Sequence, residues 1–171
     1  MLDCCIPTEL VRKQGINFDE FICLAGCNLL ETQAKRIDDS SSEEEFRNLL
    51  KEVTQKEDTF LILSYSRPVL GQTGDGHFAP VSGYHPQRDL VLILDTARFK
   101  YPPHWISVPL LFKSMKAVDK STGTSCSSLP NHYICIACMY GWVGGNLYFS
   151  NFRLVKSEFL HFQMGSNFVL V

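Results

Sequence analysis

At 171 residues and 19.4 kDa, with 45% hydrophobic and 20% charged side chains, the chain is sized for one domain that buries about two thirds of its unfolded surface. A formal net charge of −2 excludes a polycation built for nucleic acid. The charge is uneven, −6 over residues 1–58 and +4 over residues 59–171, so the second part favours a small anionic substrate. Seven cysteines, an odd number, with no charged-then-apolar leader at Met1, point to reduced thiols and a cytoplasmic setting.

Residues 7–14 read as a short helix, with Pro7 in the first turn, Leu10 and Val11 on the apolar face and Gly15 ending it in the left-handed conformation. Residues 21–25 read as a buried strand. Cys4 and Cys5 before that helix, and Cys23 and Cys27 after it, offer thiolates to a soft metal. Their spacing is not the paired CxxC of a closed zinc site, and buried structural thiols are the competing reading. Ser41-Ser42-Glu43-Glu44 fits a capping box, and Phe46, Leu49, Leu50 and Val53 follow at helical spacing, so a helix is expected over 42–55. Its acidic run is a solvated first turn that complements the helix dipole.

Residues 59–66, TFLILSYS, are rich in strand formers. A hairpin follows, with strands over 77–84 and 90–96 and turn chemistry at Pro86-Gln87-Arg88-Asp89. His77 and Asp95 lie nine residues on either side of Pro86, so a hairpin centred there sets imidazole opposite carboxylate, with Cβ atoms about 4.5–5.5 Å apart. A carboxylate at that distance holds one ring nitrogen and leaves the other to take a proton. The alternative is a satisfied surface pair. Gly71, Gly74 and Gly76 just before His77 permit close approach of a ligand or backbone, and an aspartate ending the apolar run 90–94 needs a partner. Arg98, three residues past Asp95, either clamps a substrate carboxylate or balances nearby acids at the surface. Residues 108–119 read as a last helix, with Pro109 in its first turn and Leu110, Leu111, Met115 and Val118 inward. Beyond it, residues 133–149 are mostly apolar and near the short end of the membrane-spanning range, but Gly141, Gly144, Gly145 and Asn146 argue against a span. Cys135 and Cys138 form one isolated CxxC.

The segments MLDCCIPTELVRKQGI, GQTGDGHFAPVSGYH and RDLVLILDTARFKYPPHW closely resemble the catalytic domain of the phytochelatin synthase family of plants, and the likeness runs from Met1 to about Gly123. The resemblance implies an α+β, papain-like cysteine peptidase fold: its antiparallel-sheet half plus helices, without the helix that bears the nucleophile. Residues 1–123 are then a partial catalytic domain, and 124–171 a divergent, poorly ordered tail. It implies γ-glutamylcysteinyl transfer from glutathione to glutathione or phytochelatin, an acyltransferase reaction serving cadmium detoxification. His77 matches the general base, Asp95 its orienting acid and Arg98 a substrate-binding residue. Cys4 and Cys5 match a cysteine pair that is not the nucleophile, and are candidate metal ligands.

The implied partners are glutathione and metal–glutathione thiolates, with cadmium or another soft or transition metal ion as activator or as the thiolate complex. No organic cofactor, nucleic acid or membrane partner is expected, and a homo-oligomer is left open. Without a matching nucleophile, the 171 residues are expected to have little or no activity. The competing classes are a non-catalytic glutathione- and metal-binding fragment or regulator, and an unrelated cysteine peptidase with the same Cys-His-Asp chemistry.

Overall fold

A computed structural model describes residues 6–28, 30–37, 39–117 and 133–138. Its frame is a six-stranded antiparallel sheet in the order β1-β6-β2-β3-β4-β5. The strands are β1 (Glu31–Arg36), β2 (Thr59–Ser66), β3 (Gly76–His85), β4 (Leu90–Ile93), β5 (His104–Ser107) and β6 (Tyr133–Cys138), and the helices are α1 (Thr8–Gln14), α2 (Phe18–Cys27), α3 (Glu43–Thr54) and α4 (Val108–Lys116). The mixture of helices with an antiparallel sheet is the α+β class expected.

The alternation of β2 divides the molecule. Leu61, Leu63 and Tyr65 are fully buried and join Phe46, Leu50, Val53, Leu111 and Met115 in the main core, so α3 and α4 cover this face. Ile62, one residue out of phase, packs instead with Phe18, Phe21, Ile22 and Phe78. Phe21 stacks on Phe78 at 5.3 Å between ring centroids. A period of two therefore places helices on both faces of the sheet.

β2 occupies the residues expected. Helix α3 falls within a residue of its expected bounds: Ser42 is its N-cap and accepts from the Glu44 amide. Helix α1 ends at Gly15 with a positive φ of 78°, but ψ is −160°, so the residue is extended in ψ and not left-handed helical. In α4, Val108, Leu111, Phe112 and Met115 are buried while Leu110 is 41% exposed. Leu110 falls off the stripe those four define, and Val118 lies outside the described residues.

Residues 21–25 are helix, not strand. Asn17 accepts from the Glu20 amide while the Glu20 carboxylate accepts from the Asn17 amide, a reciprocal capping box that starts α2 at Phe18, three residues before the apolar run. This corrects the cysteine reading too. Four residues span about 13 Å on a strand but one turn on a helix. Cys23 and Cys27 are exposed and joined by a disulfide, not reduced and not buried. β1 and β5 are two further strands the sequence pattern did not announce. β6, beyond the residues that carry the quoted sequence motifs, lies between β1 and β2, with Leu61 opposite Ile136 and Gln33 opposite Ile136 on the other side. No helix among the described residues is long and apolar enough to cross a membrane.

Candidate functional site

β3 pairs with β2 so that His77 faces Tyr65 across the ladder. Directly opposed residues project to one face, which puts the imidazole at the end of the main core, its ring edge-on to Tyr65 at 5.8 Å. On the other side of β3, the ladder to β4 slips between Val81 and Gly83, and its last pair is Val81 with Ile93. The Leu94 amide then donates to Pro80 at 3.0 Å. Asp95 thus stands just past the end of β4, not on a strand opposite His77. The two side chains nevertheless meet: His77 Nε2 is 3.0 Å from Asp95 Oδ1. The expected strand 90–96 is shorter in the structure, ending at Ile93, and the chain's turn after it delivers the carboxylate to the ring.

Asp95 is 1% exposed, and a buried carboxylate has to be surrounded by donors. The Ala97 amide donates to Oδ1 at 2.7 Å, Arg67 Nη2 donates to the same oxygen at 2.9 Å, and the Tyr65 hydroxyl points to Oδ2 at 3.5 Å. The Thr96 hydroxyl lies 3.2 Å from His77 Nε2. Burial pushes the Asp95 carboxyl up, but the Ala97 amide, the Arg67 guanidinium and the neighbouring imidazole outweigh it and hold the group below the usual aspartate range. His77 moves below its ordinary value: burial and the Arg67 cation disfavour the imidazolium more than Asp95 favours it. Burial, and then the charge of Asp95, raise the Tyr65 phenol. At neutral pH the site is therefore a neutral imidazole on an ionised aspartate, with its Nε2–H directed at Asp95.

Arg67 is the participant that sequence spacing missed. It is 5% exposed, sits at the end of β2, and its amide donates to Asp75 at 3.1 Å, folding the glycine-rich loop around it. Gly74 in that loop has φ +108°, and a Cβ there would lie 3.3 Å from Arg67 Cδ, so a side chain is opposed by both backbone and contact. Tyr101 covers the guanidinium from one side, with Arg67 Cζ 4.7 Å from the ring centroid, and accepts from the Thr73 amide at 2.8 Å. A cation inside an apolar strand end, just ahead of Pro68, was the available signal: buried charges are found paired.

Arg98, the arginine singled out from sequence, is exposed in the turn over residues 98–100 and forms no ion pair with a described residue. Beside it Phe99 is 94% exposed. Cys4 and Cys5 lie outside the described residues. Among the described residues no three His, Cys, Asp or Glu side chains converge as a metal site.

The phytochelatin synthase family profile matches residues 1–126. Glutathione gamma-glutamylcysteinyltransferase 3 of Lotus japonicus is 48% identical over 123 residues, 72% of this chain and 26% of that protein. Glutathione gamma-glutamylcysteinyltransferase 1 of Arabidopsis thaliana is 46% identical over 123 residues, 72% of this chain and 25% of that protein. The glutathione gamma-glutamylcysteinyltransferase of Schizosaccharomyces pombe is 41% identical over 140 residues, covering 82% of this chain and 32% of its own length. The chain spans about a quarter to a third of the curated relatives it matches, and each of those relatives bears an enzyme's name. A profile match over nearly three quarters of the sequence settles the lineage: this chain belongs to the phytochelatin synthase family.

Proposed function

We propose that this segment supplies the base and the orienting acid of a γ-glutamylcysteinyl transfer, on the sheet half of a papain-like fold. The observation that carries the reading is the 3.0 Å contact between His77 Nε2 and a fully buried Asp95. With Nε2–H committed to the carboxylate, Nδ1 at the other edge of the ring is the atom that takes a thiol proton. The thiolate attacks the amide carbonyl before glycine in glutathione. The carbon–nitrogen bond breaks, glycine leaves with the proton that His77 returns, and a thioester remains. The α-amine of a second glutathione displaces the thiolate, so one γ-Glu-Cys unit is added and the cysteine is regenerated. A lowered histidine pKa suits the first step, because it keeps the ring unprotonated at pH 7. Arg98 and Lys100, exposed in the turn that follows Asp95 along the chain, are the side chains that meet substrate carboxylates in this reading. Cadmium or a related soft ion enters as the glutathione thiolate complex, in a cytoplasmic setting.

No cysteine among these 171 residues matches the family's nucleophile, so the polypeptide assayed alone has little or no transpeptidase activity. That observation favours a second reading: a non-catalytic segment that holds glutathione and, through Cys4 and Cys5, a soft metal. Incubating the chain with glutathione and cadmium and separating γ-Glu-Cys oligomers by chromatography tests the first statement; turnover like that of a full-length relative means that one of the seven cysteines substitutes. Where this segment is joined to a nucleophilic cysteine, His77→Ala and Asp95→Ala each reduce transfer by about a thousandfold or more. Unchanged transfer in those variants sinks the acid–base assignment. Cadmium binding abolished by Cys4→Ser with Cys5→Ser but intact in His77→Ala supports the second reading.

A further inference from the structure

The Arg67 guanidinium is held from behind by a hydrogen-bond chain whose direction can be deduced atom by atom. His104, at the start of β5, has Nδ1 2.8 Å from the Pro102 carbonyl oxygen. A carbonyl only accepts, so Nδ1 carries the proton, and in the neutral ring Nε2 is an acceptor. Gln72 Nε2 lies 3.1 Å from it and donates. The Gln72 amide is thereby oriented with Oε1 turned away from His104, and that oxygen accepts from Arg67 Nη1 at 3.0 Å. The opposite amide orientation would set an N–H against the guanidinium and the carbonyl oxygen against the ring's lone pair. Arg67 then spends Nη2 on Asp95 Oδ1, the oxygen His77 also uses. Five side chains, His104, Gln72, Arg67, Asp95 and His77, form one line from β5 to β3.

We propose that Gln72 and His104 are positioning residues for the His77–Asp95 pair: His104 fixes the Gln72 amide, and Gln72 fixes the guanidinium that shares Asp95 with His77. The proposal deepens the acid–base reading above and rests on it for its functional meaning. How much of the Asp95 charge reaches the imidazole depends on where Arg67 sits, and among the described residues Gln72 is the one side-chain acceptor of Arg67 Nη1. Releasing the rear hold lets the cation move off the shared oxygen, and His77 then meets a freer carboxylate. The groups that face His77 are Asp95 and Thr96 from the segment after β4, the Tyr65 ring from β2, and the Arg67 cation.

The test is nuclear magnetic resonance on the isotope-labelled 171-residue chain, so it is decided whether or not that chain transfers acyl groups. In the wild type, long-range proton–nitrogen spectra of the neutral His104 ring show Nδ1 protonated and Nε2 bare; the reverse tautomer overturns the proposal without any variant. The titration midpoint of His77 is then followed in Gln72→Leu, His104→Phe and the double variant. Each single change raises it by about half a pH unit, a roughly threefold change in proton affinity, and the double variant shifts it no further than the larger single one. His104→Gln, which returns an acceptor near the position of Nε2, restores the midpoint. A His77 midpoint that stays put in the folded single variants, or shifts that add in the double variant, overturns it.

Discussion

An arginine, a tyrosine and an aspartate meet at each end of the long β3–β4 hairpin, and only one end is built for chemistry. At the turn, Arg47 of α3 clasps Asp89 through Nε and Nη2 at 2.9–3.1 Å, and Tyr84 donates to the same carboxylate at 3.0 Å. At the far end, Arg67 and Tyr65 point at Asp95 in the same way. The Arg47–Asp89 side chains are 23% and 33% exposed, whereas those of Arg67 and Asp95 are 6% and 0%. The turn cluster is a fastener: its arginine spends itself on Asp89, Glu43 and Glu44, and Asp89 itself has φ +52°, a conformation aspartate tolerates better than most residues. Its tyrosine is pushed up to about 12 by burial and by Asp89, out of reach of neutral chemistry. The Asp95 cluster differs by adding an imidazole, His77, held below its ordinary pKa by burial and the Arg67 cation, to a carboxylate already paired with that cation. Burial together with a shared acceptor turns an ion pair into an acid–base device.

Removing a carboxylate from each end should break the comparison most sharply. Asp95→Ala leaves Arg67 buried and unpaired and costs about 3–5 kcal/mol in urea unfolding, enough to unfold a marginal domain. Asp89→Asn, which keeps a residue tolerant of positive φ but removes the charge, costs about 1 kcal/mol, because that pair is partly solvated. Equal losses at the two sites would mean that burial is not what separates them.

Acidification sharpens the same contrast. The folded-state pKa of His77 is lowered, so as pH falls below about 6.5 the unfolded chain takes up that proton first and stability falls. The Asp95 carboxyl is also lowered; its contribution is present above its unfolded value of about 3.9 and is lost as pH descends through the still lower folded value. Unfolding midpoints measured against pH should therefore decline from about pH 6.5 in the wild type, with the first part of the decline reduced in His77→Gln. A decline of the same size in that variant would assign it to other groups.

Salt gives the smallest effect. Raising ionic strength to about 1 M, where the Debye length is about 3 Å, should weaken the Arg47–Asp89 fastener by a few tenths of a kcal/mol and leave the Arg67–Asp95 pair nearly untouched. Comparing Arg47→Ala with the wild type at low and high salt isolates that term; a difference between them that does not change with salt refutes it.

Where local rules decide a segment, the sequence was readable. The β-formers at 59–66, the cap and heptad-like spacing of α3 and the turn at Pro86–Asp89 each rest on contacts within a few residues. The failures are as informative. Residues 21–25 gave an apolar run that periodicity alone cannot assign, and the deciding signal was the Asn17–Glu20 cap upstream. β1, ETQAKR, has no apolar face of its own and is a strand because β6 pairs with it along its whole length. Arg98 was chosen for its spacing from Asp95, but the guanidinium on that carboxylate is Arg67, 28 residues away along the chain.

The sequence by itself determined the residue types of the site, because a histidine behind a glycine-rich loop and an aspartate ending an apolar strand are placed by local pattern, and the shared motifs carry the family. Only the tertiary structure decided which cation Asp95 keeps, that Asp95 meets His77 from beyond a strand end, and that Gln72 and His104 stand behind the cation. Those choices depend on three segments, 65–77, 93–97 and 101–105, converging at one buried point. No single stretch of chain encodes where the others will be.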